Sequence, residues 1–252
     1  MTKPDAYILV ISAVFILVGC ALGWWIIYEL IDPQLATRFL YGAFAIGSTL
    51  LYIQALLAVK ARVNLVLLLL FSAGVHVAIA WTALCLFMPL MFFHDLSNYA
   101  KLSSALVVIV YCTINVRTAL RSAKDLWHRY GAFAFSNHLN ASQTSVNWEK
   151  VDNAISHRTP VKPIGMPHRW HSICSNILYG FAVAGLYVAG LYSVFAVITW
   201  AIPATIIAGV QLQHASHSFF QAYSVWIWQK ENGTVLKSPT VPTKKKRKRK
   251  QQ

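Results

Sequence analysis

The sequence predicts an all-α integral membrane protein. It would have six transmembrane helices, both termini in the cytoplasm, a basic amphipathic helix on the cytoplasmic side and a disordered polybasic C-terminal tail. Three observations carry this reading. Hydrophobic residues make up 57% of the chain and charged residues only 12%, about half the ~25% charged content of ordinary soluble domains. Apolar runs of roughly 20 residues recur, each able to cross a hydrocarbon core about 30 Å thick. The 22 lysines and arginines outnumber the 8 acidic residues, for a net charge of +14, and nearly all of them fall in alternate connections. No alternation over about ten residues, the mark of a membrane β-barrel, is present.

Segment one, residues 7–30, has no small-residue cleavage pattern and ends in Trp24, Trp25 and Tyr28, an interfacial belt expected of a retained signal anchor. Gly19 and Gly23 form a GxxxG step that lets a neighbouring helix approach, and Glu29, Asp32 and Pro33 close the segment. Segment two, residues 39–59, repeats the small step at Ala43 and Gly47 and is followed by Lys60 and Arg62. Segment three, residues 65–93, exceeds a perpendicular span and must tilt, kink near Pro89 or emerge.

Segment four, residues 102–120, changes character at its end. Val116, Leu120, Ala123, Trp127 and Tyr130 make an apolar stripe beside a basic one of Arg117, Arg121, Lys124 and His128. Such a helix lies on an anionic membrane surface, docks on a partner, or simply extends the span with snorkelling cations. The cytoplasmic helix and loop together cover residues 116–172. Its hydrophilic part, from residue 131, is too short for an independent catalytic domain without a staple. Residues 173–228 are too apolar and too long for one span, so Trp200–Pro203 is expected to turn between helices five and six. Segment five offers small residues at Gly180, Ala184, Gly185 and Ala189. The tail is 229–252.

With alternate connections inside, every lysine and arginine except Arg38 and Lys101 lies on one side. Cation bias in short loops sets orientation, so both termini are expected in the cytoplasm, most simply at a bacterial inner membrane. The Asn140 and Asn232 sequons then face the cytoplasm, unused. Cys20, Cys85, Cys112 and Cys174 lie in or at the ends of apolar segments and read as packing residues rather than disulfides.

Helix six carries the chemistry-bearing groups. Gln211, His214, Ser218 and Gln221 recur at steps of three and four, on one helical face, with His217 beside them; a polar stripe in a span must face a helix, ligand or cavity. His76 of segment three falls at a matching depth. The leading interpretation is interhelical hydrogen bonding or a polar cavity wall. The alternatives are a b-type haem ligated by His76 with His214 or His217, a metal ion, or a proton relay. No carboxylate lies in a span core, and the single HxxH step falls short of a di-iron histidine box. His168, His171 and Cys174 could meet at one helical face, but an interfacial anchor around Trp170 accounts for them better.

The run Lys244, Lys245, Lys246, Arg247, Lys248, Arg249 and Lys250 self-repels and attracts anionic lipid, an acidic partner or nucleic acid. With no P-loop, HExxH, GxSxG or dinucleotide fingerprint, the expected function is non-enzymatic: a membrane subunit or scaffold of a larger assembly, docking through its basic cytoplasmic face. A haem- or metal-bearing redox subunit and a channel or transporter lined by the helix-six stripe are the competing readings.

Overall fold

A computed structural model of the chain describes residues 6–61, 64–140, 142–156 and 193–237. Caps explain where several of its helices begin. α1 (Ala6–Leu30) gives way to α2 (Pro33–Ala61) where Asp32 Oδ1 accepts from the amides of Gln34 and Leu35 at 2.7 and 2.8 Å, with proline in the first turn. α3 (Leu65–Phe87) is capped by Asn64, whose Oδ1 accepts from Val66 N. At Met88 the chain re-forms as the short α4 (Pro89–Phe92), because Pro89 lacks the amide that would continue α3. α5 (Asn98–Leu126) is capped by Ser97. It runs through a π-helical turn (Trp127–Gly131) into α6 (Ala132–His138). α7 (Trp148–Ser156) is short, and α8 (Ser193–Asn232) is 40 residues long.

Among the described residues, four stretches are long and apolar enough to cross a membrane: Tyr7–Leu30, Pro33–Ala61, Leu65–Phe92 and Asn98–His138. One expectation is corrected here. Trp200–Pro203 does not turn; α8 passes through Pro203 without a break. Proline deletes one backbone hydrogen bond, but Ala201, Pro203 and Ala204 are buried, and Ala204 packs with Ala80 and Ala83 of α3. Residues 173–192 of the expected fifth helix, with Gly180, Ala184, Gly185 and Ala189, lie outside the described residues. So do His168, His171, Cys174 and the run Lys244–Lys250.

Close pairs set the register. α1 runs parallel to α3, with Gly19 against Thr82 and Gly23 against Cys85 and Phe39. α2 runs antiparallel to α3, with Gly47 near Trp81 and Gln54 against Gly74. α8 is antiparallel to α3 and parallel to α5, where Gly209 meets Tyr111. Among the described residues, the α3–α8 pair is the most extensive helix contact.

The bundle has two distinct ends. At one, Ile26, Phe87, Leu90, Phe93, Val108, Val197 and Ala201 form a small core. At the other, the start of α3 and the last turns of α8 pack with Phe135, Val146, Trp148, Val151, Ile155 and Leu236. Within this second core, Trp127 lies against Trp148 and Phe135 against Trp228. Of the apolar stripe of residues 116–130, Ala123 is buried, Val116, Leu120 and Trp127 are half-buried and Tyr130 is exposed, while the buried seam of α5 here is Asn115, Ala119 and Ala123. The hydrophilic stretch from residue 131 contains α7, whose Trp148, Val151 and Ile155 are buried in this core. The chain past α8 is tied there too: Leu65 N donates to Leu236 O and Lys237 N to Thr144 O.

The α1–α3 contact generates a test. A Cβ at Gly23 would lie 2.6 Å from Cys85 O, and one at Gly19 2.8 Å from Thr82 Cα, so backbone would have to move. Gly23→Leu is expected to abolish cooperative thermal unfolding in detergent. Gly42 has nothing within 4 Å, so Gly42→Ala should leave Tm unchanged or slightly raised, a gain of about 0.4–1 kcal/mol at most.

Candidate functional site

α3 and α8 approach closely because alanines line their seam: Ala80, Ala83, Ala204 and Ala208 are all buried. One to two turns along, the seam becomes polar. His76 Nδ1 and Gln211 Oε1 are 2.8 Å apart; a carbonyl oxygen only accepts, so Nδ1–H donates and the Nε2 lone pair of a neutral His76 is left available. The His76 and His214 rings stack at 4.9 Å between centroids, 18° from parallel. Two imidazolium charges at that separation would repel by roughly 3 kcal/mol at an effective dielectric of about 20, so one charge is far cheaper to hold than two.

Other polar groups share this depth. Gln213 Nε2 donates to Asn115 Oδ1, and Asn115 Nδ2 to Tyr111 O. Gln54 lies against Gly74, two residues from His76, and Ser12 of α1 falls at the same level by the α1–α3 register. Asn115 and Ser12 are 0% exposed, Gln54 2% and Gln213 4%. A polar layer thus crosses the bundle from α1 to α5. Among the described residues it is not fully satisfied: Ser12 Oγ and both amide atoms of Gln54 have no hydrogen-bond partner there, a cost of about 1–3 kcal/mol per group left unpaired.

The four residues of the expected stripe keep a common face. Gln211 and His214 meet α3, Ser218 follows half-buried, and Gln221 hydrogen-bonds Asp152 of α7. His217 is half-buried beside them. Gln54, Asn115, Gln213 and Asp152 were not singled out in the sequence. The first two were visible as lone amides in apolar runs; Gln213 was hidden one step off the stripe. Asp152 depends on α7, which the surrounding polar composition masks.

A b-type haem does not fit His76 and His214 as they stand. Axial imidazoles meet the iron end-on from opposite faces of a macrocycle, whereas these rings lie face to face in a seam closed by alanines. Among the described residues, no group of three or more His, Cys, Asp or Glu is arranged to hold a metal ion. Cys20, Cys85 and Cys112 are free thiols.

At the bundle end that holds α7, Arg117, Arg121, Lys124, His128 and Arg129 are exposed on the outer side of α5 and the turn after it. Tyr223 and Trp226 stack on the outer face of α8, with Lys230 Nζ 5.7 Å above the Trp226 ring. Asn140 organises the neighbouring loop: its Oδ1 accepts from the amides of Thr144 and Ser145, and its Nδ2 donates to Ser142 and Thr144.

Compared with family models, curated proteins and solved structures, the chain matches none.

Burial pushes the Asp152 carboxyl above its ordinary range, against a smaller opposing effect of the Gln221 hydrogen bond. A raised folded-state value means that the carboxyl contributes stability when protonated, and that this contribution is lost as pH rises through that value. Asp152→Asn should therefore unfold at a higher temperature than the parent at pH 8 and converge with it toward pH 3. A thermal-melt series across pH checks this.

Proposed function

We propose that this chain is a non-enzymatic six-span subunit or scaffold of a larger membrane assembly, and that it docks anionic lipid headgroups through one basic end. The observation that carries the reading is a convergence of cations. Arg117, Arg121 and Lys124 are exposed along one rigid helix. Buried Leu236 fixes the root of the tail, at Lys237, to the same end of the bundle. The run Lys244–Lys250 follows within a few residues of sequence. Each cation near an anionic leaflet contributes about 1 kcal/mol.

The described ends support this reading: α7 packs at the basic end and the start of α8 at the other. The expected fifth helix, whose residues 173–192 lie outside the described residues, together with α1, α2, α3, α5 and α8 would make six. In this reading the basic end is cytoplasmic by the cation bias, and the membrane is a bacterial inner membrane. The registers support one boundary: Lys60 of α2, Arg121 of α5 and Phe219–Tyr223 of α8 come to about the same level, where aromatic and cationic side chains favour an interface. Outward apolar side chains such as Tyr41, Phe44, Ile53 and Leu56 on α2, and Leu102, Leu106, Ile109 and Val110 on α5, would meet lipid or other subunits. An acidic protein surface or nucleic acid would use the same cations.

The test is binding of short-chain phosphatidylglycerol and phosphatidylcholine to the full chain in detergent. The parent should prefer the anionic lipid. Arg117→Glu with Arg121→Glu and Lys124→Glu should weaken that binding by ~100-fold or more, since losing three cations alone removes about 1 kcal/mol each, and deletion of Lys244–Lys250 should weaken it further. Equal binding of the two lipids by the parent, or unchanged preference in both variants, contradicts the reading.

A further inference from the structure

We propose that the His76–His214 pair is a proton-binding site that exchanges with the aqueous phase at the basic end only, through a polar column of His217, Ser218, Gln221 and Asp152. It goes beyond the docking role and holds whether or not the basic face binds lipid.

The pair is built to take up one proton. Gln211 holds His76 by Nδ1–H, so a proton added to neutral His76 goes to Nε2. The stacked His214 ring, 4.9 Å away, then offers its π face to the charge, a favourable contact for a cation. A second proton meets the first charge at the same short distance.

Access is asymmetric. Positions 211, 214, 218 and 221 share one helical face. Its upper members meet His76, and its lowest, Gln221, hydrogen-bonds Asp152. Asp152 is part-exposed on α7, among the residues of the basic end. The column therefore descends from the pair to an acid at the water-facing core. In the other direction, among the described residues, Ala80, Ala83, Ala204 and Ala208 close the seam, backed by Leu84 and Leu86.

Among the described residues, the ionisable surroundings of the pair are sparse. α8 supplies His217, α5 brings Tyr111 to the opposite side of α8 at Gly209, and α7 supplies Asp152 as the acid on the column. α1 and α2 carry charged residues only toward their ends, at Glu29, Arg38 and Lys60. α4 carries none, and Arg117 of α5 is exposed away from the seam. A proton on the pair is thus the main charge change available within the α3–α8 contact.

The experiment is hydrogen–deuterium exchange at the histidine Cε1–H, read by mass spectrometry on the full chain in nanodiscs from pH 5 to 9. Exchange at that carbon requires both protonation of the ring and contact with solvent. His76 and His214 should exchange with sigmoidal pH profiles. Gln221→Leu, or independently Ser218→Val, should slow both by fivefold or more while exposed His128 keeps its rate. Two variants are used so that a folding defect in one does not decide the outcome. His76 and His214 that stay unexchanged across the pH range overturn the proposal, as do parental rates in both variants.

Discussion

The contact between α3 and α8 is the constraint on which the rest of the molecule depends. Alanines let the two backbones come close, and the helix that replaces them one to two turns along must then pair its polar groups across the same narrow seam. His76 answers Gln211 and His214 there. α5 joins the pair because Gly209 admits Tyr111 and Gln213 reaches Asn115. α1 and α2 assemble on the far side of α3 through Gly19, Gly23 and Gly47. Interhelical hydrogen bonds of this kind average about 0.6 kcal/mol each. The polar layer therefore does more to fix register than to hold the bundle together: a slip of one residue would strand several buried amides at once.

That layer lies off-centre, nearer the basic end. On one side of it the seam is alanine and leucine. On the other it grades through Ser218 and Gln221 into the aromatic core around Trp127, Trp148 and Trp228. The same core stiffens the helix that displays Arg117, Arg121 and Lys124 and anchors Leu236 at the root of the tail. A proton taken up by the histidines and an anionic surface met by the cations would act on one rigid end, joined through α7.

Much of this was legible from residue order because its physics is local. Runs of apolar residues marked α1, α2, α3 and α5, and Pro89 marked the break after α3. Counting from the charged ends put His76 and His214 within a turn of each other, and their rings stack. α7 escaped notice because Trp148, Val151 and Ile155 sit among Glu149, Lys150, Asp152 and Asn153, and only the spacing of the three hints at a helix. Pro203 misled: a proline beside Trp200 in an overlong apolar run looks like a turn, but buried alanines on either side keep the helix going. Gln54, Asn115 and Gln213 show a different limit. Their value lies in partners or cavities on other helices, which no local pattern encodes.

The most direct test of the account is the sidedness of α5. Single cysteines replace Tyr99 and Phe133, 87% and 73% exposed, in a chain freed of its four native cysteines. They are labelled with a membrane-impermeant maleimide in sealed vesicles of known orientation. The account predicts that position 133 reacts only from the side bearing the polybasic tail and position 99 only from the other. Labelling of both positions from one side would contradict it.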